Sequence, residues 1–441
     1  MVAILFDNYG PYLIARARAA GNLMPVLAVE LYGRSAEYAW RRENAEDGLE
    51  FVTLLPDVDS TRASAAMIHQ RMDEVFARHR PTAVAIPGWG YKGALVALQW
   101  CLANRIPPIM MSESTAWDAD RNGWKEWIKS QIVQLASSSL VGGSPHAEYI
   151  AHLGMPADRV FTGYDAVDNE YFATESRKHR NAATQCIRPC FLSSNRFILK
   201  KNLFRLVEAY AAYARRGQGA GARDQKTGVS DGHRPPLQCW PLVLLGDGEQ
   251  KPALIAKCHE LGLQVIEEAP WESDPSSDLR PPTSVSSAPT PDSCLLTSGL
   301  VFFPGFRQID ELPRFYAHAG AFVHASTTEQ WGLVVNEAMA CGLPVIVSKR
   351  VGCSRDLVVD GVNGFTFDPY DVDQLAALLA RVSSPDFPLQ EYGEAASRHI
   401  AGWGLDRFAE GMKTAAAKAI EVGPKRATLI QKAILKLLTF R

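Results

Sequence analysis

Ala321–Pro369 reads AFVHASTTEQWGLVVNEAMACGLPVIVSKRVGCSRDLVVDGVNGFTFDP, and the order of apolar runs within it decides the fold class. Ala321–His324 is a short unbroken apolar run, and Leu333–Ala340 has helical character that stops at Gly342 and Pro344. A glycine just past the last helical residue, with proline beyond it, is the usual stop signal. Pro344–Val347 and Gly364–Phe367 are two more short runs. Unbroken runs of this length, as opposed to alternating ones, suit strands covered on both faces of a parallel sheet.

The same rhythm extends outward in both directions. One set of strand-like runs comprises Val2–Phe6, Val26–Leu31, Phe51–Leu55, Ala83–Ile86, Ile109–Met111 and Leu140–Val141. A second comprises Phe191–Ser193, Leu242–Leu245, Leu300–Phe303, Ala321–His324, Pro344–Val347 and Gly364–Phe367. Amphipathic stretches lie between them, among them Gln131–Ala136, Asn202–Tyr213, Glu311–His318 and Val372–Val382. Two successive βα series predict an α/β protein of two doubly wound domains. The boundary is expected in Asn169–Arg188, where ESRKHRNAATQ is polar and without periodicity. Residues 217–236 and 270–291 are rich in Gly, Ser and Pro and read as surface insertions, since they bury too little to offset ordering.

The chain has 441 residues, with 46 Lys+Arg against 48 Asp+Glu and a net charge of −2, which argues against a nucleic-acid binder that works by bulk charge. No run is long and apolar enough to suggest a membrane-spanning helix, and MVAILFDNYGPYL at the amino terminus reads as a buried strand without the marks of a signal peptide. The expected location is cytoplasmic. The cysteines, Cys101, Cys186, Cys190, Cys239, Cys258, Cys294, Cys341 and Cys353, show no paired CxxC knuckles, so reduced thiols are expected and no metal site. No HExxH, no Ser-His-Asp order and no GxxxxGK[ST] loop is found, which sets aside those hydrolase and ATPase chemistries.

Glu329 and Glu337 flank seven residues, with Gly332 between them. Glu329 falls on the loop leaving a strand, and Glu337 a little over one turn inside the following helix. Unpaired N–H groups near Gly332 and Leu333 make a natural anion site. At ~1.5 Å per residue, Gly332 to Glu337 spans about 7.5 Å, the reach of a diphosphate. Taken alone, two glutamates at this spacing fit a helix cap and a surface ion pair better. Leu245–Gly248 (LGDG) and Pro304–Phe306 (PGF) are turn signals at strand ends.

In context, Ala321–Pro369 resembles the donor-site signature of the family 4 retaining glycosyltransferases. The E-x7-E pattern, the Gly-Leu-Pro-Val-Ile run and the Gly-x-x-Gly-Phe turn at Gly361–Phe365 carry the likeness, which extends over most of the chain apart from the insertions. The resemblance implies the GT-B architecture, two Rossmann-like doubly wound domains facing a central cleft. Residues 1–180 would form the acceptor-side domain, with 404–441 returning to it, and 187–403 the donor-binding domain. The substrates implied are a nucleoside-diphosphate sugar and a hydroxyl acceptor (a glycan, a lipid-linked saccharide or a small molecule), with anomeric configuration retained. No cofactor and no metal are expected to be required, because the nucleotide sugar is itself a substrate.

The likeness also assigns roles. In Phe191–Asn202 (FLSSNRFILKKN), Arg196 and Lys201 would hold the donor diphosphate, with Lys200 as a neighbouring alternative to Lys201. Two fixed cations stabilise the charge that a leaving nucleoside diphosphate acquires. Glu329 would orient the sugar, Glu337 would bind ribose hydroxyls, and the amides of Gly332 and Leu333 would face phosphate. The loop at Phe306 would shape the base pocket, and Gly10 would let backbone approach the donor phosphates. Two departures stand out. Leu13 follows Gly-Pro-Tyr where relatives often carry histidine, and Ile109–Ser114 (IMMSES) offers Ser112, Glu113 and Ser114 where many place one. Glu113 becomes a candidate for acceptor contact, alongside a plain reading as a loop carboxylate. His324 either touches donor sugar or packs, and His146 reads as structural. Rival readings are a nucleotide-sugar epimerase of the same architecture and a non-catalytic sugar-binding relative.

The carboxy terminus leaves two roles open. Beyond Pro424, KRATLIQKAILKLLTFR is basic and carries no acidic residue. At ~100° per residue Leu429, Ile430, Ala433, Ile434, Leu437, Leu438 and Phe440 fall on one side. Residues 425–441 would either dock that face on the first domain or make peripheral contact with an anionic inner membrane face.

Overall fold

The computed structural model describes residues 1–33, 48–182, 189–219, 239–268 and 299–439. They form two compact units. The first comprises Met1–Asn169, Gln330–Asn336 and Ala401–Arg441; the second comprises Glu170–Glu329 and Glu337–Ile400.

In the first unit β1 (Val2–Phe6), β2 (Val26–Tyr32), β3 (Glu50–Leu55), β4 (Ala83–Pro87), β5 (Pro108–Ser112), β6 (Ser138–Val141) and β7 (Val160–Thr162) form one parallel sheet. Its order is β3-β2-β1-β4-β5-β6-β7. Side chains alternate across a strand, and here both sides are covered. Ala3 and Leu5 enter one core, whereas Val2, Ile4 and Phe6 enter another on the opposite face. That double burial is why β1 reads as an unbroken apolar run. The helix Leu405–Val422 supplies Phe408, Met412, Ala415, Ala416 and Ala419 to the second of these cores. Gly411 lets it approach closely, since a Cβ there would lie 2.6 Å from the Thr162 carbonyl oxygen.

The second unit repeats the arrangement with β8 (Cys190–Ser194), β9 (Leu242–Leu245), β10 (Gln264–Ile266), β11 (Leu300–Gly305), β12 (Ala319–His324), β13 (Val345–Ser348) and β14 (Gly364–Phe367). The order is β10-β11-β9-β8-β12-β13-β14, again parallel. The α/β class and the pair of doubly wound sheets agree with the sequence reading. Each sheet contains one strand the sequence did not signal. Val160–Thr162 is half-buried and Gln264 is exposed, so neither three-residue run shows an unbroken apolar signature.

The two units divide between Asn169 and Glu170, inside the segment Asn169–Arg188 that was expected to hold the boundary, but Asn169–Ala182, which showed no periodicity, is a helix. Its hold is local: Phe172 is fully buried, its carbonyl accepts from the Cys341 thiol at 3.4 Å, and the Arg180 guanidinium donates to the Cys341 carbonyl. Gly217–Gly219, read as the start of an insertion, closes the helix Leu203–Gly219. The rest of 217–236 and all of 270–291 lie outside the described residues.

Candidate functional site

In open doubly wound sheets, ligands bind beyond the carboxyl ends of the strands, where the strand order reverses. In the second unit that point lies between β8 and β12, and the loops leaving these strands carry Lys201 and Glu329. After β8 the chain makes a 3-10 turn, Leu199–Lys201, and enters left-handed backbone at Asn202 with φ 59°. The Asn202 side-chain amide pays for that conformation by donating to the carbonyls of Ala325 at 3.0 Å and Pro369 at 2.8 Å. The amide of Thr327 donates to the Lys200 carbonyl at 2.9 Å, and the Arg350 Nε donates to the Thr327 carbonyl at 3.0 Å. Gly352 N–H donates to the Glu329 carbonyl at 3.1 Å. The loop after β12 is therefore held from both sides before any ligand arrives.

At its centre Lys201 Nζ is ion-paired with Glu329 Oε2, each side chain 13% exposed. Burial pushes the Glu329 carboxyl up, but the Lys201 ammonium and the His324 contact more than offset it and hold the group well below the usual carboxylate range. Burial lowers Lys201; Glu329 opposes this, while the Lys200 and Arg196 charges add to it. His324 Nε2 lies 3.5 Å from Glu329 Oε2, and the Ser326 hydroxyl is 3.4 Å from the same oxygen. Burial lowers His324 below its ordinary value, so the neutral ring is favoured. The family spacing that selected Lys201 over Lys200 thus coincides with the lysine that meets Glu329.

Arg196 is exposed on the turn after β8, close enough for its charge to be felt at Lys201. Its loop is seated on the LGDG turn: Phe197 N–H donates to the Asp247 carbonyl at 2.7 Å, and Asn195 N–H to the Leu245 carbonyl at 2.9 Å. Only glycine fits there. Gly246 has φ 130° and a Cβ on it would lie 1.8 Å from the Asn195 carbonyl oxygen. Gly246 N–H in turn donates to Gly305, which places Phe306, 42% exposed, on the adjoining loop. Glu337 is fully buried and accepts from the Tyr316 hydroxyl at 2.7 Å, so it is no surface ion-pair residue. A hollow of about 850 Å³ lies at the opposite end of the sheet by Pro189, Gly320 and Pro344 and includes none of these residues.

Gln330–Asn336 groups with the first unit. Trp331 is buried, its Nε1 donates to Asn336 Oδ1 at 2.9 Å, and its ring centroid lies 5.6 Å from that of Trp403. His146 Nε2 is 2.9 Å from the Gln330 carbonyl, while its Nδ1 accepts from Gly143 N–H at 3.1 Å, a structural role as expected. Gly332 has φ 98°, and Leu333 opens the helix Leu333–Ala340. Gly10 precedes the helix Pro11–Gly21 with φ −88°, and its carbonyl accepts from Leu13 and Ile14 N–H.

The first unit also holds a carboxyl cluster that the sequence did not reveal. Asp165 is buried, and burial raises its carboxyl well above the ordinary value, with the Glu113 charge and a hydrogen bond to Glu113 adding to the shift. Arg16, 3.6 Å away, opposes it, and its Nε donates to the Ala166 carbonyl at 2.8 Å. Glu113, chosen as an acceptor candidate, is thus partnered by an acid. Asp165 in TGYDAVD sits past a strand too short to see, so no pattern marked it. Among the described residues no group of three or more His, Cys, Asp or Glu side chains is placed to hold a metal ion.

The two parallel seven-stranded sheets with their helices match the fold of GT-B glycosyltransferases. Residues 295–399 match the family model described as Glycosyl transferases group 1. Among curated relatives, the sulfoquinovosyl transferase SQD2 of Arabidopsis thaliana is 41% identical over 88 residues, 19% of this chain and 17% of that protein. The D-inositol 3-phosphate glycosyltransferase of Kribbella flavida is 33% identical over 109 residues, 24% of this chain and 26% of that protein. The chain therefore matches well under two thirds of the length of these relatives. Among solved structures, Anabaena Alr3699/HepE in complex with UDP and glucose superposes with a TM-score of 0.62 at 15% identity, covering 93% of this chain and 98% of that one.

Proposed function

We propose that this protein is a glycosyltransferase of the family 4 type, moving a sugar from a nucleoside-diphosphate donor to a hydroxyl acceptor with retention of anomeric configuration. The observation that carries the reading is the buried Lys201–Glu329 pair at the strand-order reversal of the second unit. Glu329 lies within residues 295–399, whose likeness is to glycosyltransferases, and the structural relative HepE is described with UDP and glucose. An ammonium has three donors. One is used by Glu329, and the others are proposed for the donor diphosphate together with Arg196, while the phosphate role of the Gly332 and Leu333 amides is carried by the resemblance. As the bond from the anomeric carbon to the phosphate oxygen breaks, negative charge accumulates on the diphosphate, and these fixed groups stabilise it.

The acceptor oxygen then bonds to the anomeric carbon on the face the diphosphate leaves, and its proton passes to the departing phosphate. No protein nucleophile and no metal enter this scheme. Glu329, held ionised, fixes Lys201 and accepts from sugar hydroxyls. The ribose role of Glu337, the base-pocket role of Phe306, the phosphate role of Gly10 and the acceptor role of Glu113 are carried by the resemblance.

Thermal stabilisation of the full chain by UDP, GDP, ADP and their sugars tests the donor class. One nucleotide series should raise the melting temperature, since ligand at a hundredfold its Kd adds about 2.7 kcal/mol. The Lys201→Met variant should lose that response. No stabilisation by any of the three series overturns the reading. Consumption of nucleotide sugar without an acceptor, giving an isomeric nucleotide sugar, would instead identify an epimerase.

A further inference from the structure

The helix Leu429–Thr439 belongs to the first unit and docks there by only part of the apolar side its sequence marks. Leu435 is buried, Gln431 Nε2 donates to the Gln131 carbonyl at 3.2 Å, and Gln99 Nε2 donates to the Thr439 hydroxyl at 3.2 Å. Ile434 and Leu438 join the same core. This splits the apolar side. Leu429 is 84% exposed, Ile430 59% and Leu437 63%. At ~100° per residue these three and Ala433 cover an outward sector of about 100°, with Lys432 and Lys436 along one flank. Lys432, Lys436 and Arg426 are exposed, and residues 423–439 contain no acid.

The neighbouring helix has a matching surface. Gly123–Val133, which carries the Gln131 carbonyl just named, exposes Trp124 by 66% and Trp127 by 38%. The two rings stack with centroids 4.8 Å apart and planes inclined at 23°. Lys125 between them is exposed. Stacked tryptophans in water, large aliphatics and cations on two touching helices are the elements of an interfacial lipid site: rings seat at headgroup level, aliphatics enter the acyl boundary and cations meet lipid phosphate.

We propose that the outer faces of Gly123–Val133 and Leu429–Thr439 together dock this chain on an anionic phospholipid surface. Charge selects the occupant. A second copy presenting the same face would set Lys432 and Lys436 against like charge, whereas an anionic bilayer complements them. The proposal stands independently of the glycosyl-transfer reading, because it uses no residue of the donor site.

Co-sedimentation of the full chain with phosphatidylcholine vesicles, with and without phosphatidylglycerol, tests it. Binding is expected only when phosphatidylglycerol is present, and should weaken as salt screens the cations. Lys432→Gln/Lys436→Gln should reduce the apparent affinity about thirtyfold, and Trp124→Ser/Trp127→Ser should reduce it independently. Circular dichroism confirms that each variant is folded before its binding is compared with the parent. The proposal is overturned by absence of binding to anionic vesicles, by equal binding to neutral ones, or by binding that neither variant alters. It is also overturned if sedimentation velocity shows self-association that Leu429→Ser/Leu437→Ser abolishes.

Discussion

Replacing Lys201 by methionine removes the only cation ion-paired with Glu329 among the described residues and leaves a carboxylate whose side chain is 13% exposed. Breaking a buried pair from one side destabilises by about 3–5 kcal/mol. Glu329 keeps the weaker contacts to His324 at 3.5 Å and Ser326 at 3.4 Å, so the lower end, about 3 kcal/mol, is expected. For a unit of this size each kcal/mol moves the melting temperature by about 2–4 °C, so the drop at pH 7 should be ~6–12 °C. The pH dependence follows from the direction of the Glu329 shift. In the parent its depressed carboxyl contributes stability that is present above the unfolded value near ~4.3 and lost as pH falls below it. Without Lys201 that carboxyl titrates higher, so the deficit relative to the parent should narrow as pH falls from 7 toward 4. Lys201→Met/Glu329→Gln removes both charges and should recover at least half of the loss. Melting curves for the four proteins, followed by circular dichroism, complete the cycle. A single-variant change under about 1 kcal/mol at pH 7, or a double variant equal to the sum of the singles, refutes the argument.

Tyr316→Phe takes a hydrogen bond from the buried Glu337 carboxyl and should destabilise by about 1–3 kcal/mol, read from the same melts. Gly246→Ala forces a Cβ onto the Asn195 carbonyl and should weaken nucleotide stabilisation as well as lower the melting temperature, because the loop carrying Arg196 must shift. Asp165 holds its proton above the ordinary carboxylate value, so its stability contribution is complete below the unfolded value near ~3.9 and is lost as pH rises through the folded one. Asp165→Asn should therefore flatten the decline in melting temperature that begins as pH rises above the unfolded value. Proton NMR of the transfer product should show the anomeric configuration of the donor, and the opposite configuration would exclude retention.

Much of the fold was legible because both faces of each sheet are buried. The alternation that sends Leu5 and Ile4 into opposite cores erases polar positions from β1, and the resulting run is visible without any structure. Val160–Thr162 and Gln264–Ile266 escaped because they are three-residue strands at sheet edges, where exposure removes that signature. Asn169–Ala182 misled for a related reason: its helix depends on Phe172 finding a pocket, and its remaining face is polar. At the candidate site Lys201 and Glu329 were chosen from the family resemblance, since their spacing alone favoured a cap and a surface ion pair, and they meet because β8 and β12 are neighbours. The Tyr316 partner of Glu337 and the Asp165 partner of Glu113 were hidden, since both contacts depend on tertiary packing between segments with no shared pattern. The tail shows the limit of periodicity most clearly. A helical wheel identifies an apolar side, but packing on Gln131 and Gln99 rotated the helix so that part of that side faces water.

The most direct test of the central claim is a mass-detected transfer assay with the nucleotide sugar that stabilises the chain and a panel of hydroxyl acceptors. The parent should release nucleoside diphosphate and label acceptor in equal amounts. Lys201→Met and Glu329→Gln, confirmed as folded by circular dichroism, should each lower kcat by about a hundredfold or more, the scale expected when a fixed group facing developing charge is removed. Transfer by both variants at the parent rate would contradict the assignment of chemistry to this pair.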